Sequence, residues 1–248
     1  MKEMEEAQAI LIRLMEEFLL NYKGLITFCV ESLSAITGVL LYKKYKFTTG
    51  KYFIFFLIYL TICDTIGNYT LHIRNGGFFS FLEGTVFVQN YWWFTLCWKI
   101  GAILFFSFYF QKILVNKAFR QVLSYSTYVF FVFSISYVII NWKDFFIRFF
   151  PAISVFGAYI VFLCSVFYFI EILKSDKILT FYRSLNFYIS TGIFVWWLII
   201  TPLVFYDIYM TNRDWNFIFL RWQIYLFANI LMYSTFTFAL IWCKPEND

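Results

Sequence analysis

The chain has 248 residues, of which 62% are hydrophobic and only 14% charged, with a mean hydropathy of +0.70. A soluble domain is about half apolar and about a quarter charged, so the apolar excess belongs against lipid and a water-soluble globule is excluded. The net charge of +5 rests on 20 Lys and Arg residues placed mainly at the ends of apolar stretches, which leaves no nucleic-acid patch.

The first segment, residues 1–22, begins acidic. Its apolar stretch from Ala9 to Leu20 is interrupted by Arg13, Glu16 and Glu17, and no small-residue cleavage site follows, which is not the pattern of a signal peptide. Ile10, Leu11, Leu14 and Phe18, with Met15 or Leu19, share one face of a helix, while Glu3, Glu6, Arg13 and Glu17 can face water. Residues 1–22 are therefore expected to form an amphipathic helix, either interfacial or an extension of the first span. Residues 23–248 read as one transmembrane domain.

A spanning helix needs about 20 mainly apolar residues. Seven stretches qualify, at 23–42, 52–73, 91–111, 121–141, 150–173, 185–206 and 220–243. Short connections make sequential spans antiparallel neighbours. None of the segments alternates as a barrel strand does. The expected fold is all-α, a polytopic transmembrane helical bundle of seven helices. The first, third and fifth loops carry ten Lys and Arg residues and the even loops carry five. The positive-inside rule therefore puts the N-terminus outside and the C-terminus inside. Tyr91, Trp92 and Trp93, with Trp142 and Trp215, suit an aromatic belt on the outer side.

Ionisable groups deep in a span cost about 2.5–3.5 kcal/mol or more each, so they are paired or functional. Glu31, Asp64 and Lys99 lie in the first three spans, each about 12 Å below the outer boundary at 1.5 Å per residue. A Glu–Lys–Asp cluster is a geometric expectation from that shared depth. Ser34, Ala35 and Gly38 share the face of Glu31, a small-residue surface suited to close helix packing. Thr61 and Asn68 lie with Asp64, and Thr95 and Ala102 with Lys99. Asn229 falls at a similar depth in the seventh span between Tyr225 and Tyr233. In the sixth span Thr201 precedes Pro202, which should kink the helix. The candidate ligand or ion-pair site is thus Glu31, Asp64, Lys99, Asn68, Asn229 and Thr201. Three readings stay open: an ion-pair network that fixes helix register, a ligand or ion pocket open to the outside, and a path through the membrane.

Other residues carry less chemistry. Glu171 lies near the inner end of the fifth span, where it can snorkel. His72, the only histidine, marks the outer end of the second span. Cys29, Cys63, Cys97, Cys164 and Cys243 are odd in number and lie in or beside apolar segments, as buried small side chains do. A single histidine makes no histidine-based metal site, and there is no HExxH pair, no GxSxG elbow and no Gly-rich phosphate loop. No catalytic residue, metal or cofactor is assigned. A retinal protein is not expected either, because the seventh span has no interior lysine.

Several short motifs recur as an arrangement. They are Glu31 followed by the Leu-Leu-Tyr-Lys-Lys-Tyr-Lys exit (Leu40 to Lys46), Asp64, the Asn-Phe-Tyr-Ile-Ser-Thr-Gly-Ile opening of the sixth span (Asn186 to Ile193), and Asn229 with Tyr233. On these the chain resembles a loosely defined group of small, mostly uncharacterised bacterial seven-helix membrane proteins. That resemblance implies seven helices, and a cytoplasmic or inner membrane in a bacterium. It implies no activity, and Lys99 is outside its pattern.

The function expected from the residues is a non-enzymatic sensor, receptor-like or accessory protein. It would hold a small or lipidic ligand in the outer half of the bundle. Its inner loops are too short for a signalling domain, so it would act through a cytoplasmic or membrane partner protein. The bilayer is its other partner, and oligomers are compatible with the pattern. The alternatives are a channel, transporter or membrane-disrupting effector of a defence or toxin system, a lipid-modifying enzyme using Asp64 with Asn68, and a structural subunit.

Overall fold

The computed structural model describes residues 2–73, 77–209 and 215–245. It is an all-α bundle, and seven of its helices are long and apolar enough to cross a membrane. We number these α1 (Lys2–Leu40), α2 (Gly50–Gly67, continued as a 3₁₀ turn over Asn68–His72), α3 (Tyr91–Ile113), α4 (Lys117–Ile140), α5 (Pro151–Leu173), α6 (Leu185–Tyr209) and α7 (Trp215–Trp242). The protein is a multi-pass membrane protein. Its perimeter carries large apolar side chains such as Leu33, Val39, Tyr125, Phe162, Leu198 and Phe238, which only lipid can cover at this density.

One unbroken helix covers both the amphipathic N-terminal segment and the first span, with no break near residue 22. α7 packs along α1 on one side and α6 on the other, α6 packs on α5, and α5 meets α3 and α4. α2 lies against α1 and α3 and closes the ring. Small residues let the helices approach. A Cβ added at Gly38 would stand 3.2 Å from Ile54 of α2, and one at Gly192 would stand 2.8 Å from the ring of Phe236.

An odd number of antiparallel helices places the start of α1 and the end of α7 on opposite sides, which we call the amino face and the carboxy face. At the carboxy face the turn after α1 is fastened to the end of α7. Tyr45 Oη donates to the carbonyls of Leu240 and Cys243 at 3.0 and 3.1 Å, and Lys44 Nζ donates to those of Leu240 and Ile241 at 3.1 and 3.0 Å. These carbonyls are the orphan acceptors of a helix end, where a cation is also favoured by the helix dipole. Burial, with Cys243 alongside, pushes the Tyr45 phenol well above its ordinary value, so it stays a donor. Burial lowers the Lys44 ammonium.

The same face holds a second fastening. Glu171 accepts from the backbone amides of Val115 and Asn116 at 2.9 and 2.7 Å, and Asn116 Oδ1 caps α4 by accepting from Ala118 N at 2.8 Å. Glu171 is therefore a clasp between α5 and the entry to α4 rather than a snorkelling side chain. At the amino face Tyr69 Oη donates to the carbonyls of Phe87 and Gln89, which holds the loop between α2 and α3 against the bundle. Trp215 Nε1 donates to Glu16 Oε1 at 3.0 Å, and Lys23 Nζ sits 3.0 Å from the centre of the Trp222 ring, so the start of α7 is tied to α1.

Candidate functional site

Glu31 is fully buried on α1, at the α1–α2–α7 junction. The Asp64 carboxyl of α2 and the Tyr233 hydroxyl of α7 lie against it, and the Trp98 indole of α3 lies against Asp64. Four helices thus contribute to one polar focus, roughly 12 Å from the amino-face end of α2.

The focus is under-satisfied. Both Glu31 carboxylate oxygens, Asp64 Oδ1 and Tyr233 Oη are buried, and although the three groups lie within reach of one another, none of these atoms is paired in full hydrogen-bond geometry with both carboxyls ionised. Ser34 Oγ, one turn along from Glu31 on the same face, is buried in the same state. Buried polar atoms are almost always hydrogen-bonded, and leaving one unmade costs about 1–3 kcal/mol. Two like charges about 4 Å apart repel by about 4 kcal/mol even at an effective dielectric of about 20. Two facing carboxyls in a membrane core therefore need a proton or a bound cation between them.

Lys99 does not supply that cation. Neither Glu31 oxygen nor Asp64 Oδ1 is hydrogen-bonded to it. Its ammonium instead lies 5.9 Å from the Phe149 ring and 6.0 Å from the Trp197 ring. The reason is local backbone geometry: Thr95–Ala102 is wound as a π-helix inside α3. A π turn holds an extra residue, so the α-helical spacing that aimed Lys99 at Asp64 is offset, and Trp98 takes that place. Tyr59 Oη from α2 donates to Cys97 O within this stretch at 3.0 Å, and Trp93 Nε1 donates to Cys63 O at 2.8 Å. These bonds hold the irregular turn against α2.

The remaining expected residues divide. Asn229, one turn from Tyr233 on α7, accepts from Trp196 Nε1 at 2.7 Å, and Trp196 stacks on Trp98 with ring centres 5.9 Å apart. Asn229 thus belongs to the aromatic wall behind Asp64. Asn68 is exposed in the turn that ends α2, and the adjacent Gly67 carbonyl accepts from Asn90 Nδ2. Thr201 Oγ1 donates back to Trp197 O at 2.6 Å inside α6, which runs on through Pro202. Neither residue is brought to the carboxyl pair by any bond. Trp98 and Trp196 carry no charge, so the depth of ionisable groups does not mark them; their signal in the sequence is their position beside Lys99 and in the middle of α6.

Chemically the site offers two carboxyls, a phenol and the N–H edge of a tryptophan. Among the described residues no three His, Cys, Asp or Glu side chains come together. A calcium site takes about six to eight oxygens, and magnesium needs a near-octahedral shell. A pair of carboxylates in an apolar surround suits an organic ammonium, which pairs with the charge and donates to the oxygens. Comparison with protein families, with characterised proteins and with solved structures gives no match to this chain.

Proposed function

We propose that the protein is a non-enzymatic, receptor-like membrane protein that binds a cationic ligand between Glu31 and Asp64 and acts through a partner at its carboxy face. The observation that carries this reading is the pair of facing carboxyls buried among four helices, joined by the Tyr233 hydroxyl and with no donor in full hydrogen-bond geometry at Oε1, Oε2 and Oδ1. The path from the pair toward the carboxy face is filled by Phe53, Tyr109, Phe110 and Phe236, all essentially without exposure. Phe53 meets Phe236 edge to face at 4.9 Å. This plug favours a receptor over a channel or transporter. Binding at the junction of α1, α2 and α7 would bear on the Lys44 and Tyr45 fastening, since α1 and α7 both end there. The basic loops of that face suit the cytoplasmic side.

The test is a titration in phosphatidylcholine nanodiscs, followed by tryptophan emission. The probes are ethylammonium, dodecylammonium, sodium and potassium chlorides. At least one ammonium should give a saturable change, and Asp64→Asn should weaken it by about 10- to 100-fold, the worth of a charged hydrogen bond of about 1.5–3 kcal/mol. No saturable response to any probe, or an unchanged midpoint in Asp64→Asn, overturns the reading.

A further inference from the structure

A crevice of about 280 Å³ opens on the lipid side of the bundle between α1 and α2. Ala35, Ile36, Val39 and Leu40 line one wall and Ile58, Thr61 and Ile62 the other. Thr61 turns its hydroxyl back to Leu57 O, so the walls present carbon. Ala35 is four residues from Glu31 and Thr61 three from Asp64, so each carboxyl lies one turn beyond the crevice on the same helical face. Glu31 is fully enclosed, whereas Asp64 keeps partial exposure. Along α2 the crevice runs from Ile62 toward the carboxy face for about 6 Å, at 1.5 Å per residue down to Ile58.

On this geometry, and resting on the carboxyl-pair reading above, we infer that the ligand is an amphiphilic amine that enters sideways from the bilayer. Its ammonium sits at Asp64 and Glu31, and its alkyl tail lies in the α1–α2 crevice. The charge complementarity at one end and the carbon walls at the other select this occupant over an ordinary phospholipid, whose anionic phosphate the carboxyls repel. The amine crosses the apolar layer as the neutral base. At the site it takes the proton that the carboxyl pair holds, so R–NH₂ and –COOH become R–NH₃⁺ and –COO⁻, with no other reactant. The pair thereby exchanges a shared proton for an ion pair, and the Tyr233 hydroxyl gains a carboxylate acceptor.

The test uses a dodecylamine carrying a terminal diazirine, photolysed on the full chain in phosphatidylcholine nanodiscs and mapped by mass spectrometry. Adducts should concentrate on Val39, Leu40 and Ile58, and fall by about tenfold or more in Glu31→Gln/Asp64→Asn, where the ammonium has lost its charged partners. Val39 is 53% exposed to lipid, so Val39→Trp can fill the crevice without touching the core. It should reduce dodecylamine labelling and leave the ethylammonium response unchanged. Labelling spread equally over other lipid-facing residues such as Phe162 and Phe238 overturns the tail placement. An ethylammonium response that persists beside such spreading leaves the carboxyl site standing, whereas loss of every ammonium response removes both.

Discussion

The double variant Glu31→Gln/Asp64→Asn is expected to unfold no earlier than the native protein while losing ammonium binding. Both substitutions keep shape and remove charge, so they relieve the repulsion and desolvation of two facing carboxyls. The amides can also hydrogen-bond to each other and to Tyr233, whose hydroxyl lies against Glu31 in the native site. A structural salt bridge behaves in the opposite way, since removing one partner of a buried pair costs about 3–5 kcal/mol. Thermal unfolding in detergent, read by circular dichroism, separates the two cases. A lowered midpoint would make the carboxyls scaffolding.

Tyr45→Ala should be the most damaging single change outside the site, at about 3–5 kcal/mol, the cost of deleting a buried aromatic ring. Tyr45 is 1% exposed and donates to two carbonyls at the end of α7. Tyr45→Phe isolates the hydroxyl and should cost about 1–3 kcal/mol, because Cys243 and Leu240 lose a buried donor. Unfolding in a denaturing detergent titration checks both, and the ordering Ala worse than Phe is the informative part. Equal, small losses would show that the turn after α1 is held by Lys44 alone.

What was legible in the sequence was set by hydropathy, which acts residue by residue. The seven spans read from apolar runs end within five residues of the helices, and six of them also start so, because a run long enough for lipid has no other stable conformation than a helix; the first helix begins well before residue 23. The meeting of Glu31 with Asp64 was also legible, since both the depth and the packing of α1 on α2 follow from rise per residue and chain order. Lys99 was not, because the π-helical turn at Thr95–Ala102 breaks the periodicity on which its direction was inferred. Glu171 could not be placed from its own neighbourhood, because its acceptors are used by amides 56 and 55 positions away. The Tyr45 fastening spans 195 positions and has no local signal either. The hydrogen-bonding state of the Glu31–Asp64 pair depends on packing among four helices and has no local signal in the sequence.

The most direct measurement is ligand-induced difference infrared spectroscopy of the side-chain carboxyl bands, with dodecylammonium added to the protein in nanodiscs. Binding as described converts one protonated carboxyl to carboxylate, so the acid band should decrease, the carboxylate band should grow, and both changes should vanish in Glu31→Gln/Asp64→Asn. An identical difference spectrum from the native protein and the double variant, or saturable binding with no change in either band, would contradict a cation site at Glu31 and Asp64.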